Sequence, residues 1–301
     1  MAHEKDLTIV ILTFNEAIHI ARCLKSAQQV AADIFVVDSY STDTTIAQAE
    51  SLGARVWQHT FENHAAQFAW ALAELPIKTE WVMRVDADEV ISPTLATNIG
   101  RQLSQATTGV NGFLVRRHVT FMGNPIRHGN FPQWVLKIWR RGEGAIEQRW
   151  MDEHMMLKSG RALRIQGDFV DDNLNSVTWW TAKHNAYASR EAVDLLNARY
   201  AFLPKAAAAD TLSDYARAKR WMKNHLYAHL PLGLRALAYF LYRMTFQLGI
   251  LDGRNGFAFH LLQGFWYRYL VDTKVREVTQ AMKREHIDCV AAIHKVLGIR
   301  L

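Results

Sequence analysis

The stretch Trp81-Val82-Met83-Arg84-Val85-Asp86-Ala87-Asp88-Glu89 decides how this chain is read. An apolar strand ends abruptly in two carboxylates separated by one small residue. Side chains at i and i+2 of a strand point to the same side, so the spacing predicts that Asp86 and Asp88 converge on one spot at the sheet edge. Like charges held that close need a bound cation or a raised pKa. Hard oxygen ligands suit Mg²⁺ or Mn²⁺, which bind through one or two carboxylates plus substrate phosphates. A plain solvated loop would carry the same residues, so the meaning of the motif comes from its surroundings.

Upstream of it, short strands alternate with helical stretches, which predicts an α/β domain with a doubly wound, largely parallel sheet. Strands are expected over residues 7–13, 33–38, 54–59 and 80–86, and helices over 16–30, 43–52 and 63–75. Ser92-Pro93 opens a further helix in the cap-then-proline order. Beyond it the pattern is less regular, with strands expected at 113–120 and 135–139, and from about Trp179 it turns helical and stays so. The clearest breaks in that tail are Pro231-Leu232-Gly233 and Asp252-Gly253-Arg254-Asn255-Gly256.

Ligands of a doubly wound sheet bind beyond the carboxyl ends of the strands. The first strand ends in Thr13-Phe14-Asn15-Glu16, the second in Asp38-Ser39-Tyr40-Ser41-Thr42-Asp43-Thr44, and the fourth in Asp86-Ala87-Asp88. All three polar clusters are therefore expected to line one crevice. Taken singly, Thr13-x-x-Glu16 also reads as a capping box and Ser41 to Asp43 as a helix cap. No G-x-G-x-x-G follows the first strand and no P-loop is present, which excludes backbone cradling of a dinucleotide or triphosphate. Carboxylates at the first two strand ends suit a base N–H and ribose hydroxyls, and the third pair suits a cation bridging a diphosphate. A nucleotide-diphosphate donor fits all three, with Thr13, Asn15, Glu16, Asp38, Asp43, Arg84 and Asp86 as the candidate nucleotide contacts.

The three clusters, in this order and spacing, resemble the signature of family-2 glycosyltransferases with the GT-A fold, over roughly residues 7–190. They are most similar to the bacterial enzymes that build lipopolysaccharide cores and surface polysaccharides. The resemblance implies that Asp38 contacts the base of a nucleotide-sugar, usually a UDP-sugar. It makes Asp88 the main ligand of Mg²⁺ or Mn²⁺, with Asp86 toward ribose or metal. An inverting enzyme also needs a general base for the acceptor hydroxyl. The resemblance, together with position, directs that role to Trp150-Met151-Asp152-Glu153-His154. The family order there is Glu-Asp and this chain has Asp152-Glu153, so the base is assigned to Glu153 with Asp152 as its alternate. A helix N-terminus enriched in acids would look the same. Where related enzymes place a histidine ligand, this chain has Asp171 within Asp168-Phe169-Val170-Asp171-Asp172-Asn173, and an aspartate serves a hard cation equally well. His184 reads as structural. Arg116, Arg117, Arg127, Arg140 and Arg141 gather on the expected acceptor side.

The chain has 301 residues, half of them hydrophobic, enough for one large domain with an appendage. The expected division is a GT-A catalytic domain over 1–205 and a helical region over 206–301. Cys23 and Cys289 stand far apart without metal-ligand spacing, which fits a reducing compartment rather than a disulfide-built fold. The polar start predicts no secretory leader, and no stretch of about 20 uninterrupted apolar residues is present to span a membrane.

Net charge is +6 and the isoelectric point about 9.3, with the excess concentrated from Arg217 to Arg284. Its arginines sit among long apolar side chains, which disfavours nucleic acid. Residues 232–251 read as an interfacial helix carrying Arg235 and Arg243, and 257–270 interleave aromatics with Arg268. The expectation is a peripheral enzyme on the inner face of a bacterial cytoplasmic membrane, held to anionic lipid by this tail. Packing against a second subunit is the competing reading. Two other functions share the donor site: a transferase that charges a polyprenyl phosphate, and a non-catalytic sugar-nucleotide-binding scaffold of a polysaccharide complex.

Overall fold

The computed structural model describes residues 6–129, 131–147, 154–203 and 233–301. They form two compact units, divided between Leu174 and Asn175. The break falls earlier than the boundary at 205 expected from sequence, because the helix after it packs with the C-terminal helices.

The first unit is built on strands β1 (Leu7–Thr13), β2 (Asp33–Asp38), β3 (Arg55–Gln58) and β4 (Trp81–Asp86), with helices α1 (Ile20–Ala27), α2 (Thr45–Ser51) and α3 (His64–Glu74) between them. Strand β1 is buried at all but one position, as its unbroken Ile/Val/Leu run requires when both faces are covered. One face packs Ile9, Ile11 and Val36 against Leu24 of α1, and the other packs Val10, Phe35 and Val37 against Phe68 of α3. Each such side chain contributes about 1.5–3 kcal/mol of transfer free energy. Asn63 caps α3 by accepting from the Ala66 N–H at 2.8 Å. Ser92 does the same for α4 (Pro93–Ser104), accepting from Leu95 N–H at 3.2 Å just before the predicted proline.

The rest of the unit departs from a parallel sheet. Strands β5 (Glu89–Ile91), β6 (Val110–Phe121), β7 (Asn124–Ile126), β8 (Gln133–Arg140) and β11 (Arg161–Asp172) join the same nine-stranded sheet, in the order β3-β2-β1-β4-β8-β6-β11-β5 with β7 on β6. The first four strands are parallel, β8 is antiparallel to both β4 and β6, and β11 is parallel to β6. The sheet is therefore mixed, not largely parallel. A separate hairpin pairs β9 (Gly144–Ile146) with β10 (Met155–Leu157). Gly167 (φ +109°) lets β11 cross the start of α4, where a Cβ would stand 2.4 Å from the Leu95 nitrogen.

The second unit is helical: α5 (Val177–Tyr200), α6 (Leu234–Met244), a 3₁₀ turn (Gly249–Asp252), α7 (Gly253–Phe259), a π-helical stretch (His260–Trp266), α8 (Tyr267–Glu285) and α9 (Cys289–Leu297). Helix α7 starts inside the break expected at residues 252–256. Ala188, Ala192, Val193 and Leu196 form one face of α5 and pack on Val271, Val275 and Val278 of α8 and on Ile293 of α9. His184 stacks on Trp180 with ring centroids 3.4 Å apart and bonds its carbonyl through Nδ1, so it is the structural histidine expected. Burial pushes its pKa down to about 4.

The arginines expected to meet lipid point inward instead. Arg235 forms a buried ion pair with Asp272, which also accepts from the Gly233 N–H at 2.9 Å. Arg243 is 1 % exposed, bonded to Gln263 and within 5.8 Å of the Tyr239 and Phe259 rings. Arg268 reaches Glu191 at 3.3 Å. A charge-driven attachment through these groups is not what the fold provides. No helix among the described residues is long and apolar enough to cross a membrane.

Candidate active site

The carboxyl ends of β2, β1 and β4 lie side by side. Thr13 is the register partner of Asp38, and Leu12 that of Asp86. Nearly every candidate nucleotide contact at the first two ends belongs to one interlocked network. The Thr13 hydroxyl donates to Asp38 Oδ1 at 2.9 Å, and Ser41 donates to Asp38 through its N–H (2.7 Å) and its hydroxyl (2.5 Å). The Asn15 N–H donates to Ser41 Oγ, and Asn15 Oδ1 accepts from the Thr42 N–H, each at 2.8 Å. Burial raises the Asp43 carboxyl, but the bonds it accepts from the Thr45 hydroxyl (2.5 Å), Thr45 N–H (2.9 Å) and Ala17 N–H (3.2 Å) together hold it below the usual range.

The capping-box reading fails here. The Thr13 hydroxyl is spent on Asp38, and the Glu16 carboxylate takes the His19 ring at 2.5 Å. His19 in turn accepts the Leu174 N–H at 2.9 Å, which ties the end of the unit to the first loop. Asp38 is fully buried, its oxygens occupied by the loop it organises. Asn15 (φ +55°) and Tyr40 (φ +61°) both take left-handed backbone, and their neighbours leave Phe14 and Tyr40 exposed at the mouth of the loops.

At the third strand end the geometry differs from strand alternation. Asp86 closes β4, but Asp88 sits in a two-residue turn between β4 and β5. Arg84 donates to Asp86 Oδ1 at 3.1 Å and reaches His64 at 3.3 Å. Burial opposes the Asp86 charge, yet Arg84, Lys137 and His64 hold its carboxyl well below the usual carboxylate range. Asp88 Oδ2 accepts from Asn173 Nδ2 at 2.9 Å, and the Asp88 carbonyl accepts from the Asp172 N–H at 3.1 Å.

Around Asp88 the other acids have cations. Asp171 pairs with Arg117 at 3.3 Å and Asp172 with Arg22 at 2.5 Å. Glu89 takes Lys137 through both oxygens, at 2.8 and 2.6 Å. Burial pushes Glu89 up to about 7 and Asp171 up to about 6, and Asp86 adds to both shifts. The expected third metal ligand, Asp171, is thus engaged by Arg117. Among the described residues the Asp88 carboxylate has an amide partner and no ion pair, while Arg22 bonds the Asp88 carbonyl at 3.4 Å. No three His, Cys, Asp or Glu side chains among the described residues form a ready cage for a metal. The donor set fits an open-sided oxygen site at Asp88, with Asp86 shared with Arg84, and phosphate and water would supply the remaining ligands.

Sequence reasoning passed over Arg22, Glu89 and Lys137 of this cluster. Glu89 is buried and accepts the Asp86 N–H at 2.8 Å, so it fixes the backbone between the two aspartates. The signal for its partner was available in Gln133-Trp134-Val135-Leu136-Lys137-Ile138-Trp139, where one lysine interrupts an apolar strand. Asp152 and Glu153 lie outside the described residues. Their flanks are the β9–β10 hairpin, closed by Ile146 against Met155 and by the Glu147 N–H to the His154 carbonyl at 2.9 Å.

Residues 8–164 match glycosyl transferase family 2, and the chain belongs to that family. A glycosyltransferase of Rickettsia bellii, itself uncharacterized, is 39 % identical over 95 residues, covering 32 % of each chain. The lipopolysaccharide core biosynthesis glycosyltransferase LpsC of Rhizobium meliloti is 29 % identical over 157 residues, 49 % of this chain and 55 % of that one. The matched stretch thus spans between a third and about half of the length of these relatives. Among solved structures, the mannosyltransferase PcManGT of Pyrobaculum calidifontis, in complex with GDP-Man and Mn²⁺, superposes with a TM-score of 0.53 at 15 % identity, covering 90 % of this chain and 87 % of that one. The fold is of the GT-A type.

Proposed function

We propose that this chain is an inverting, metal-dependent glycosyltransferase. It moves a sugar from a nucleotide-diphosphate sugar, a UDP-sugar, to a saccharide or lipid-linked saccharide. Its place is bacterial lipopolysaccharide or exopolysaccharide synthesis at the inner face of the cytoplasmic membrane. The observation that carries the reading is the alignment of three polar strand ends beside a carboxylate, Asp88, that has no cation of its own. LpsC supports the acceptor class, and the Mn²⁺ in the mannosyltransferase complex supports the metal.

In this reading the base and ribose lie over the loops locked by Asp38, Asn15 and Asp43. Asp38 acts by holding Thr13 and Ser41, which fixes the shape of the base pocket. Arg84 keeps Asp86 ionised, and Asn173 orients the Asp88 carboxylate. Asp88, with Asp86, holds Mg²⁺ or Mn²⁺, which when bound stabilises charge on the departing diphosphate. Glu153 takes the proton from the acceptor hydroxyl, with Asp152 as the alternate base.

A thermal-shift screen of UDP- and GDP-sugars with Mn²⁺ tests the donor. The expected result is a metal-dependent rise in Tm with a UDP-sugar that Asp88→Asn abolishes. Undiminished, EDTA-sensitive transfer by Asp88→Asn would overturn the metal assignment. Glu153→Gln is expected to lower kcat by about 10²-fold or more while donor affinity holds. Loss in Asp152→Asn but not in Glu153→Gln would move the base to Asp152, and an intact rate in Glu153→Gln would point to a phosphate acceptor.

A further inference from the structure

Among the described residues, the second unit carries a surface of exposed apolar side chains. Leu237 and Leu241, four residues apart, are exposed along α6, and the turn after it presents Phe246, Ile250 and Leu251 at 83, 67 and 63 % exposure. Phe257 extends the surface onto α7. Ring contacts tie the turn and α7 to α6: Tyr242 stacks on Phe246 with centroids 5.9 Å apart, and Phe240 meets Phe257 at 6.1 Å. Single exposed apolar residues are ordinary, but a continuous run of large ones marks an interaction surface.

The turn is held outward by polar bonds beneath it. Asp252 bonds the His260 ring at 3.0 Å, and Arg243 bonds Gln263. Leu248 takes left-handed backbone (φ +58°), and Gly249 lies so close that a Cβ would stand 2.8 Å from the Arg243 carbonyl and 3.0 Å from the His260 ring. The apolar side chains are therefore presented by a braced scaffold.

Charge narrows the occupant. Between residues 233 and 275 the carboxylates are Asp252 and Asp272, and both are buried, whereas Arg254 beside the turn is exposed. Tyr242, stacked on Phe246, and Tyr269 are half-exposed, and tyrosine suits a boundary between apolar and wet surroundings. Phe246 projects from its neighbours and would need a matching cavity in a rigid protein, but a fluid bilayer opens around it.

We propose that the surface around Phe246, Ile250 and Leu251 is a membrane-docking wedge that enters the headgroup–acyl boundary of a bilayer, with Arg254 meeting lipid phosphate. It replaces the electrostatic attachment expected of the buried arginines. Binding driven by apolar insertion resists salt, whereas binding driven by exposed cations fades as ions screen it.

The test is cosedimentation of the full chain, without any sugar substrate, so it stands apart from the glycosyltransferase reading. Vesicles of phosphatidylethanolamine with phosphatidylglycerol, and of phosphatidylcholine alone, are both expected to retain the protein, at high salt as at low. Replacing Phe246, Ile250 and Leu251 together by serine is expected to lower partitioning about a hundredfold or more, with circular dichroism unchanged. Phe246→Asp alone touches the most exposed side chain, keeps the fold, and is expected to lower it about tenfold. Wild-type protein left in the supernatant would overturn the proposal, as would release by salt. A lipid-free dimer that the triple substitution converts to monomer would assign the surface to a second copy instead.

Discussion

In the first unit charged side chains gather at one sheet edge, and apolar ones fill both faces of the sheet behind them. In the second unit Arg235, Arg243 and Asp272 lie inside, while Phe246, Ile250 and Leu251 lie outside. The same residue types thus serve opposite ends. At the strand ends the acids around Asp88 are paired with Arg84, Arg117, Arg22 and Lys137, and the Asp88 carboxylate meets an amide instead. Among the helices Arg235, Arg243 and Asp272 are used internally as bracing, while one stretch of surface carries large apolar groups. A basic composition therefore says little about what a region binds until the direction of its side chains is known.

The strongest way to break this comparison is to remove a buried cation from each unit. Lys137→Met leaves Glu89 without its partner, and Arg235→Leu leaves Asp272 so. Each is expected to cost about 3–5 kcal/mol in urea unfolding. Donor binding is expected to fall only with Lys137→Met, because Glu89 holds the Asp86 N–H. Equal loss of donor binding in both would erase the distinction between site charge and bracing charge.

A smaller effect concerns His184 of the helical unit, whose pKa falls from 6.5 unfolded to about 4 folded. Between those values the unfolded chain binds the extra proton, so stability is complete above 6.5 and declines as pH drops toward 4. For a ring that keeps some solvent contact the loss is about 1–3 kcal/mol. His184→Phe, which retains the stack on Trp180, is expected to remove that increment from the acid limb of a denaturation series. An unchanged acid limb would show that the ring titrates freely.

The smallest expected effect has the opposite sign. Asp88→Asn removes a charge that stands near Asp86, Glu89 and Asp171, and is expected to stabilise the metal-free protein by about 0.5–1 kcal/mol. A clear loss of stability would mean that Asp88 is bracing after all.

Strands β1 to β4 and the helices between them were legible because buried Ile/Val/Leu runs and cap residues such as Ser92-Pro93 act locally. Strand β11 was not, although it is twelve residues long. Arg161-Ala162-Leu163-Arg164-Ile165-Gln166-Gly167-Asp168 carries charge on both faces, and its register slips between Arg164 and Asp168. Its place is set by neighbours distant in sequence: Arg116 pairs with Asp168, and Gly167 passes under Leu95. The strand-end motifs were visible as ligand groups, but that Asp38 is sealed inside its own loop depends on Ser41 folding back, which spacing does not report. Asp88 was found through an alternation rule that the turn after Asp86 does not obey.

The bonds that hold Asp88 come from the very end of the first unit, at Asp172 and Asn173, and His19 is met by Leu174. The family match ends at 164. A truncated fragment stopping there would keep the three strand-end motifs and lose the clasp that shapes them. During synthesis the same order applies: the early strands can pair as they leave the ribosome, but the bonds to His19 and Asp88 form only when residues 172–174 have emerged.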